Sequence, residues 1–159
     1  MLVESTAATT ANTAPPKSCN CRVPASCPLR GNCLSSSLVY RAEVSCGREE
    51  DHVYIGSTSQ TFKARFSGHK SDMTHQSKKT STMLSRHVWS LKASGEEPSV
   101  TWSIQKRAFP YQCGSGKCDL CLSEKCEILR MHGPLLLNKR SEIAGKCRHR
   151  AKFKLESVT

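Results

Sequence analysis

The spacing of ten cysteines along 159 residues constrains the fold of this chain more than any other feature. The first group has the pattern Cys-x-Cys-x5-Cys-x5-Cys and comprises Cys19, Cys21, Cys27 and Cys33. Four thiolates at loop spacing satisfy a tetrahedral zinc ion, and metal binding orders a segment that is too short to fold alone. We therefore predict a zinc knuckle over residues 19–35. Two disulfides that hold the same loop are the alternative.

A second group of ligand types lies in the carboxy-terminal third. Cys118-x-x-Cys121 and Cys147-x-His149 together supply the four ligands of a Cys₃His zinc site. Such a site would tie the end of the chain back to the preceding helix. Cys113 and Cys126 compete as ligands. The chain does not begin with a basic segment and an apolar core, so a secretory signal is not indicated and metal thiolates are favoured over disulfides.

The charge of the chain indicates a polyanionic partner. The net charge is +11, and residues 57–92 contain seven Lys or Arg against one acidic residue, Asp72. Charge of one sign over such a segment favours nucleic acid over an ordinary solvated surface. No apolar run approaches the ~18 residues that a membrane span requires, so no membrane partner is expected.

Hydrophobic periodicity predicts an α/β chain of the α+β type. Residues 1–18 are rich in Thr, Ala, Ser and Pro and indicate a flexible linker. The globular domain is predicted over residues 36–155. Alternation of apolar and polar residues predicts strands over 38–44, 52–56 and 100–104, and helical periodicity predicts helices over 59–73, 81–94 and 118–131. We expect a small antiparallel three-stranded sheet flanked by helices.

The first predicted hairpin and the helix after it carry residues suited to phosphodiester chemistry. The hairpin would bring Tyr40 and Tyr54 near each other, and a phenol can relay a proton from an attacking water. On a helical wheel, Arg65 and His69 lie at one edge of an apolar stripe and Lys70 lies at the other. Arg65 could therefore reach a phosphate in a cleft. A solvated basic helix with His69 capping a core is the alternative.

The last long helix offers two candidate carboxylates. Glu124 shares a face with Cys121 and Ile128 and is predicted to point inward, whereas Glu127 is predicted on a wetter side. An inward carboxylate needs a partner, and Mg²⁺ or Mn²⁺ is a suitable one. We therefore choose Glu124 as the metal ligand, with a buried salt bridge as the alternative.

The order of these motifs resembles the GIY-YIG nuclease superfamily, and most closely the endonuclease domain of Penelope-like retroelements. Leu38-Val39-Tyr40 departs from the usual Gly-Ile-Tyr, but it keeps the tyrosine. The resemblance covers about residues 19–155 and rests on these segments: Cys19-Asn20-Cys21, Cys27-Pro28-Leu29, Tyr54-Ile55-Gly56, Thr61-Phe62-Lys63, His69-Lys70, Cys118-Asp119-Leu120-Cys121, Glu124-Lys125, Leu137-Asn138-Lys139-Arg140-Ser141-Glu142 and Cys147-Arg148-His149-Arg150.

The resemblance implies a role for each matching residue. Tyr40 and Tyr54 would orient or activate the attacking water, and Arg65 would hold the phosphate. His69 and Lys70 would assist at the scissile group or the leaving oxygen. Glu124 would bind a single Mg²⁺ or Mn²⁺, and Asn138 would support the geometry of the site.

The resemblance also implies a partner and a setting. The partner would be a DNA duplex, nicked to leave a 3′-hydroxyl that can prime reverse transcription. A reverse transcriptase could lie on the same longer polypeptide, and the location would be nuclear. The altered first motif leaves open a second hypothesis, a catalytically inactive, zinc-stabilised nucleic-acid-binding domain.

Overall fold

Three antiparallel strands in the order β2-β1-β3 form the sheet of this α+β protein. The computed structural model describes residues 16–47 and 50–150. Residues 1–15 of the predicted linker and 151–155 of the predicted domain lie outside this part. The strands are β1 (Leu38–Ser45), β2 (His52–Thr58) and β3 (Ser99–Arg107). The helices are α1 (Phe62–Thr74), α2 (Met83–Ala93), α3 (Asp119–Arg130) and α4 (Arg140–Ala144), with 3₁₀ turns at Pro24–Ser26 and Gln76–Lys78. The predicted three-stranded sheet and its helices are confirmed.

The central strand β1 is buried on both faces. Tyr40 and its alternate neighbours pack under α1 and α2, in a cluster that includes Phe62 and Leu84. Val39 points to the opposite face and packs with Ile55 of β2 and Ile128 of α3. The sheet is therefore the middle layer of three, which explains why β1 carries apolar residues at consecutive positions.

Local signals in the sequence place the helix ends. Thr61 precedes α1 and its hydroxyl accepts from Ala64 N at 3.4 Å. Thr82 and Ser85 form a reciprocal capping box at the start of α2. Such caps satisfy backbone N–H groups that have no partner within the helix. None of the helices within the described residues combines the length and hydrophobicity that a bilayer crossing requires.

Helix α1 buries a stripe that includes one polar residue. Phe62 and His69 are both fully buried, and Phe66 and Met73 pack against the same cluster. These positions follow the spacing of one helix face. His69 therefore lies within the apolar stripe rather than at its edge, where the sequence pattern had placed it.

The cysteine knuckle packs against the start of α1. Cys33 O accepts from Lys63 N at 2.7 Å, and Ser35 O accepts from Phe62 N at 2.8 Å. Leu29 of the knuckle is buried in the cluster beneath α1 and α2. The knuckle therefore contributes a side chain to the hydrophobic core. Its carbonyl groups also accept hydrogen bonds from backbone N–H groups in the first turn of α1, which have no partner within the helix.

We predict that Gly56→Ala destabilises the protein because Gly56 lies directly opposite Tyr40 in the sheet. A Cβ atom at this position would overlap the phenol ring and approach its Cε2 atom to 2.8 Å. Overpacking of this kind typically costs about 1–3 kcal/mol. Denaturant unfolding measures the effect. The control is Gly68→Ala in α1, where a Cβ meets no atom within 4 Å, so stability should stay constant or rise. Equal stability of both variants would contradict the packing argument.

Candidate active site and metal centres

An open cavity of about 440 Å³ lies between the start of α2, the half-buried side of α3 and the segment that follows α4. Tyr54, Arg65 and Glu124 all line it, although they come from β2, α1 and α3. The cavity is charged and polar. Its other lining residues are Asp72, Ser81, Thr82, Cys121, Lys125, Glu142, Gly145, Lys146, Arg148 and His149.

The structure brings together only part of the predicted residue set at this cavity. Tyr40 and His69 are fully buried in the layer behind it. Lys70 is exposed and is not among the residues that line the cavity. Asn138 lines a different groove, beside α3 and α4.

Arg65 is connected to the core through the hydroxyl of Tyr40. Arg65 Nε donates to Tyr40 Oη at 3.0 Å, and Tyr40 Oη lies 2.7 Å from His69 Nε2. A guanidinium only donates hydrogen bonds, so Tyr40 accepts from Arg65 and can direct its own proton to His69. We therefore assign the Nε2 atom of His69 as the acceptor. The network fixes the side chain that reaches from the core to the cavity.

Burial keeps Tyr40, Tyr54 and His69 neutral beside the charged Arg65. Burial raises the pKa of Tyr40, against the opposing charge of Arg65. Burial also raises the pKa of Tyr54, and the neighbouring Tyr40 adds to the shift. For His69, burial and then the charge of Arg65 lower the pKa to about 3. At neutral pH both phenols therefore keep their protons and His69 carries no charge.

Of the two candidate carboxylates on α3, Glu124 faces the cavity, but the prediction that Glu127 lies on the wetter side of the helix is wrong. Glu127, predicted on the wetter side of α3, is the buried one, with 3% of its surface exposed. Its carboxylate accepts from Gln105 Nε2 at 3.1 Å and from Arg130 at 2.9 Å. Glu124 is half-buried, and burial raises its pKa, opposed by the hydroxyl of Ser57 and the charge of Arg148. Of the two carboxylates on α3, Glu124 is therefore the one available for a ligand.

The side chain of Asn138 forms hydrogen bonds with the backbone of β2, at the edge of the sheet. Its Oδ1 accepts from Ile55 N and its Nδ2 donates to Ile55 O, both at 2.8 Å. Leu137 N also donates to Val53 O, and Leu136 forms a parallel bridge with Val53. The amide side chain therefore extends a short backbone pairing along β2. This pairing holds the strand that carries Tyr54.

Glu142 and Arg148 are charged residues that line the cavity and to which the sequence patterns assign no role. Glu142 caps α4 by accepting from Lys139 N at 2.7 Å, and Arg148 lies between two predicted metal ligands. The capping pattern predicts a helix start, but it does not predict which cavity the helix faces. The position of Arg148 beside Cys147 and His149 was a usable signal.

The amino-terminal cysteines form a cluster that could hold a metal such as zinc. The sulfur atoms of Cys19, Cys21, Cys27 and Cys33 lie within 4.8 Å of one another, and all four thiols are free. The Sγ–Sγ distances are 3.7 Å from Cys21 to Cys33 and 3.6 Å from Cys33 to Cys19. Zinc–sulfur bonds of about 2.3 Å give tetrahedral edges of about 3.8 Å, whereas a disulfide requires about 2.05 Å. The distances therefore fit four thiolates around one ion.

The second cluster has the predicted members, Cys118, Cys121, Cys147 and His149. Cys121 Sγ lies 3.4 Å from Cys147 Sγ and 3.0 Å from His149 Nδ1. The competing thiols of Cys113 and Cys126 are exposed and belong to neither cluster in the described part of the chain. Three thiolates and an imidazole form a ligand set typical of structural zinc. The four predicted ligands therefore lie together and could hold a metal, and the cluster borders the cavity through Cys121 and His149.

We predict that replacing Cys118 and Cys121 by Ser removes one metal ion per chain and lowers the unfolding temperature. Metal binding contributes directly to folding free energy where few other contacts order the ligands. Elemental analysis and thermal unfolding check both effects. The matched control is Cys126→Ser, on the same helix but outside the cluster, which should keep its metal. Full metal content in the double variant would exclude this ligand set.

We predict that His69 makes stability fall as the pH falls below about 6.5. The unfolded chain protonates this imidazole near pH 6.5, whereas the folded protein does so only near pH 3. Between these values the unfolded state binds more protons, which costs up to about 1.4 kcal/mol per pH unit. Urea unfolding from pH 7 to pH 4 should therefore give a flatter profile for His69→Gln. The control is His132→Gln at an exposed position; parallel profiles for all three proteins would refute the assignment.

Comparison of the chain with models of known protein families, with curated proteins and with solved structures finds no match to any of them.

Proposed function

We propose that this protein is a divalent-metal-dependent DNA endonuclease that hydrolyses a phosphodiester and leaves a 3′-hydroxyl. The observation that carries the proposal is the convergence of Tyr54, Arg65 and Glu124 on one polar cavity. These residues come from three different elements, and each has a role in the family that the sequence resembles. A guanidinium, a phenol and a carboxylate in one cavity can bind a phosphate, orient a water and bind a cation.

Arg65 is suited to hold the scissile phosphate. Its Nε atom is occupied by Tyr40, so the terminal amino groups are the part of the guanidinium that can meet a ligand in the cavity. A guanidinium presents its donors in a fixed fork that matches two phosphate oxygens. Because Tyr40 anchors this fork, Arg65 can stabilise charge that grows on the phosphate without first being ordered.

The reaction needs a water, a phosphate and a proton acceptor. The water oxygen forms a bond to phosphorus while the bond from phosphorus to the 3′ oxygen breaks. The proton that the water gives up passes to solvent, and solvent supplies the proton that the 3′ oxygen takes up, so the two transfers balance. Tyr54 lines the cavity and remains protonated, so its hydroxyl would orient the water. His69 is sealed behind Tyr40 and would act through Tyr40. Lys70, exposed on α1, would contact DNA outside the cavity.

The donor set at the cavity fits Mg²⁺ or Mn²⁺. Glu124 would hold the ion, and the negative charge of Glu142 lies close enough to raise the pKa of Glu124, which favours a cation beside both. Magnesium commonly binds through one or two carboxylates together with substrate phosphates and water. When bound, the ion would neutralise negative charge on the phosphate.

The charge of the chain supports DNA as the substrate. A net charge of +11 favours association with a polyanion, and the cavity is bordered by Arg65, Lys125, Lys146 and Arg148. By resemblance, the nick would prime reverse transcription by a polymerase, which could lie on the same longer polypeptide. That setting places the protein in the nucleus.

One observation favours a second candidate, a catalytically inactive zinc-stabilised DNA-binding domain. The hydroxyl of Tyr40 is fully buried and bonds to two protein groups. It stands in the motif that departs from the family pattern, Leu38-Val39-Tyr40. If the reaction required this phenol to contact water directly, the chain would bind DNA without cutting it.

We predict that Glu124→Gln abolishes Mg²⁺- or Mn²⁺-dependent nicking of supercoiled plasmid and changes DNA affinity by less than a few-fold. The amide keeps the size of the side chain but removes the charge that would bind the cation. Gel separation of supercoiled and open-circular DNA measures the rate, and a labelled duplex measures affinity.

The matched control is Glu127→Gln, one turn further along α3, where the carboxylate bonds to Gln105 and Arg130 instead of facing the cavity. This variant should nick DNA at close to the wild-type rate. Wild-type nicking by Glu124→Gln would exclude the metal assignment. Salt-sensitive DNA binding without nicking by the wild-type protein would favour the inactive binding domain.

A further inference from the structure

Arg148 stands between two ligands of the carboxy-terminal cluster, Cys147 and His149. The residues 145–148 belong to no helix or strand. Their backbone is held by the cluster and by Lys125 Nζ, which donates to Gly145 O at 2.7 Å. No helix or strand fixes the backbone of Arg148. A metal held by the cluster would fix it on both sides, through Cys147 and His149.

Arg148 also lines the cavity that contains Arg65 and Glu124. A second cavity, of about 260 Å³, adjoins it along the end of β2, where its other lining residues are polar: Ser57, Thr58, Ser59 and Gln60. Three residues are common to both cavities, namely Arg65, Arg148 and His149. The two arginines therefore border both of these adjoining polar cavities, which together we call the depression beside Arg65.

The charge of Arg148 acts on the groups of the candidate active site. It lowers the pKa of both Glu124 and Tyr40, in each case against the effect of burial. Arg148 is therefore close enough to influence the site electrostatically. A DNA strand that places one phosphate at Arg65 would bring an adjoining phosphate along the same depression.

We propose that Arg148 binds a DNA backbone phosphate beside the one held by Arg65, and that the carboxy-terminal metal cluster serves to position it. The inference rests on the proposed nuclease function. An arginine loses about 2 kcal/mol of side-chain entropy when it is immobilised. Ligands on both sides of Arg148 would fix its backbone before DNA arrives. Binding would then have to order only the side chain and not the backbone as well.

The other cluster provides a matched control within the same chain. Arg22 follows Cys21 just as Arg148 follows Cys147. Arg22 is exposed and lines neither of the two cavities. Arg22→Ala and Arg148→Ala therefore remove the same charge from the position that follows a cluster cysteine, but only one of them changes the depression beside Arg65.

The test measures binding of a fluorescein-labelled duplex by the zinc-loaded protein over a series of salt concentrations, without added Mg²⁺ or Mn²⁺. Arg148→Ala should weaken binding about tenfold near 0.1 M salt and reduce the salt slope by about one, as expected for one lost phosphate contact. Its zinc content should equal that of the wild type. Arg148→Lys should recover part of the affinity, and Arg22→Ala should stay within twofold of the wild type.

A double-mutant cycle tests the positioning. If the cluster positions Arg148, then Arg148→Ala should cost little additional affinity in a Cys147→Ser background; a full tenfold further loss would overturn this part of the proposal. Equal affinities of Arg148→Ala and Arg22→Ala, or loss of zinc from Arg148→Ala, would overturn the phosphate contact whether or not Cys147→Ser folds. A wild-type protein that never nicks plasmid would instead refute the nuclease function, because the affinity comparison does not depend on cleavage.

Discussion

The buried phenol of Tyr40 connects the central strand of the sheet to the candidate active site. Its ring lies opposite Gly56 and packs in the core with Phe62 and Trp102. Leaving its hydroxyl unpaired in such a place would cost about 1–3 kcal/mol, more than the roughly 1 kcal/mol that an ordinary hydrogen bond contributes. Arg65 and His69 satisfy it. The need to pair one hydroxyl therefore orients the guanidinium that enters the cavity.

The two cysteine clusters could stabilise, by holding a metal, segments that pack against the helices of the candidate site. The segments that carry them have little regular structure, and each packs against a helix that matters for the site: the knuckle against the start of α1, and the carboxy-terminal ligands against α3. A chain of this size buries a limited fraction of its surface, and metal ligation can supply the missing order. The second cluster also borders the cavity. A change that disrupts this cluster would therefore alter both the stability of the protein and the geometry of the cavity.

Much of the fold could be predicted from the sequence, because local patterns decide it. Alternation along Leu38–Ser45, the cap at Thr61 and the capping box at Thr82 each depend on residues close together in the chain. The placement of Glu127 could not be predicted in this way. A helical wheel ranks faces by composition, whereas Gln105 on β3 provides the partner that makes burial of this carboxylate tolerable. The same limit applies to His69, whose burial depends on Tyr40.

By itself, the sequence determined the three strands and the three long helices, the two sets of residues that could hold a metal, and the presence of Tyr54, Arg65 and Glu124, because residue type, spacing and periodicity are local properties. Only the tertiary structure decided which of these side chains share a cavity. It placed Asn138 on the edge of β2, left Lys70 outside the cavity and placed Arg148 and Arg65 on the lining of the same two cavities. The physical reason is that such contacts join residues far apart in the chain. They depend on how the layers pack and on which partners satisfy each buried polar group.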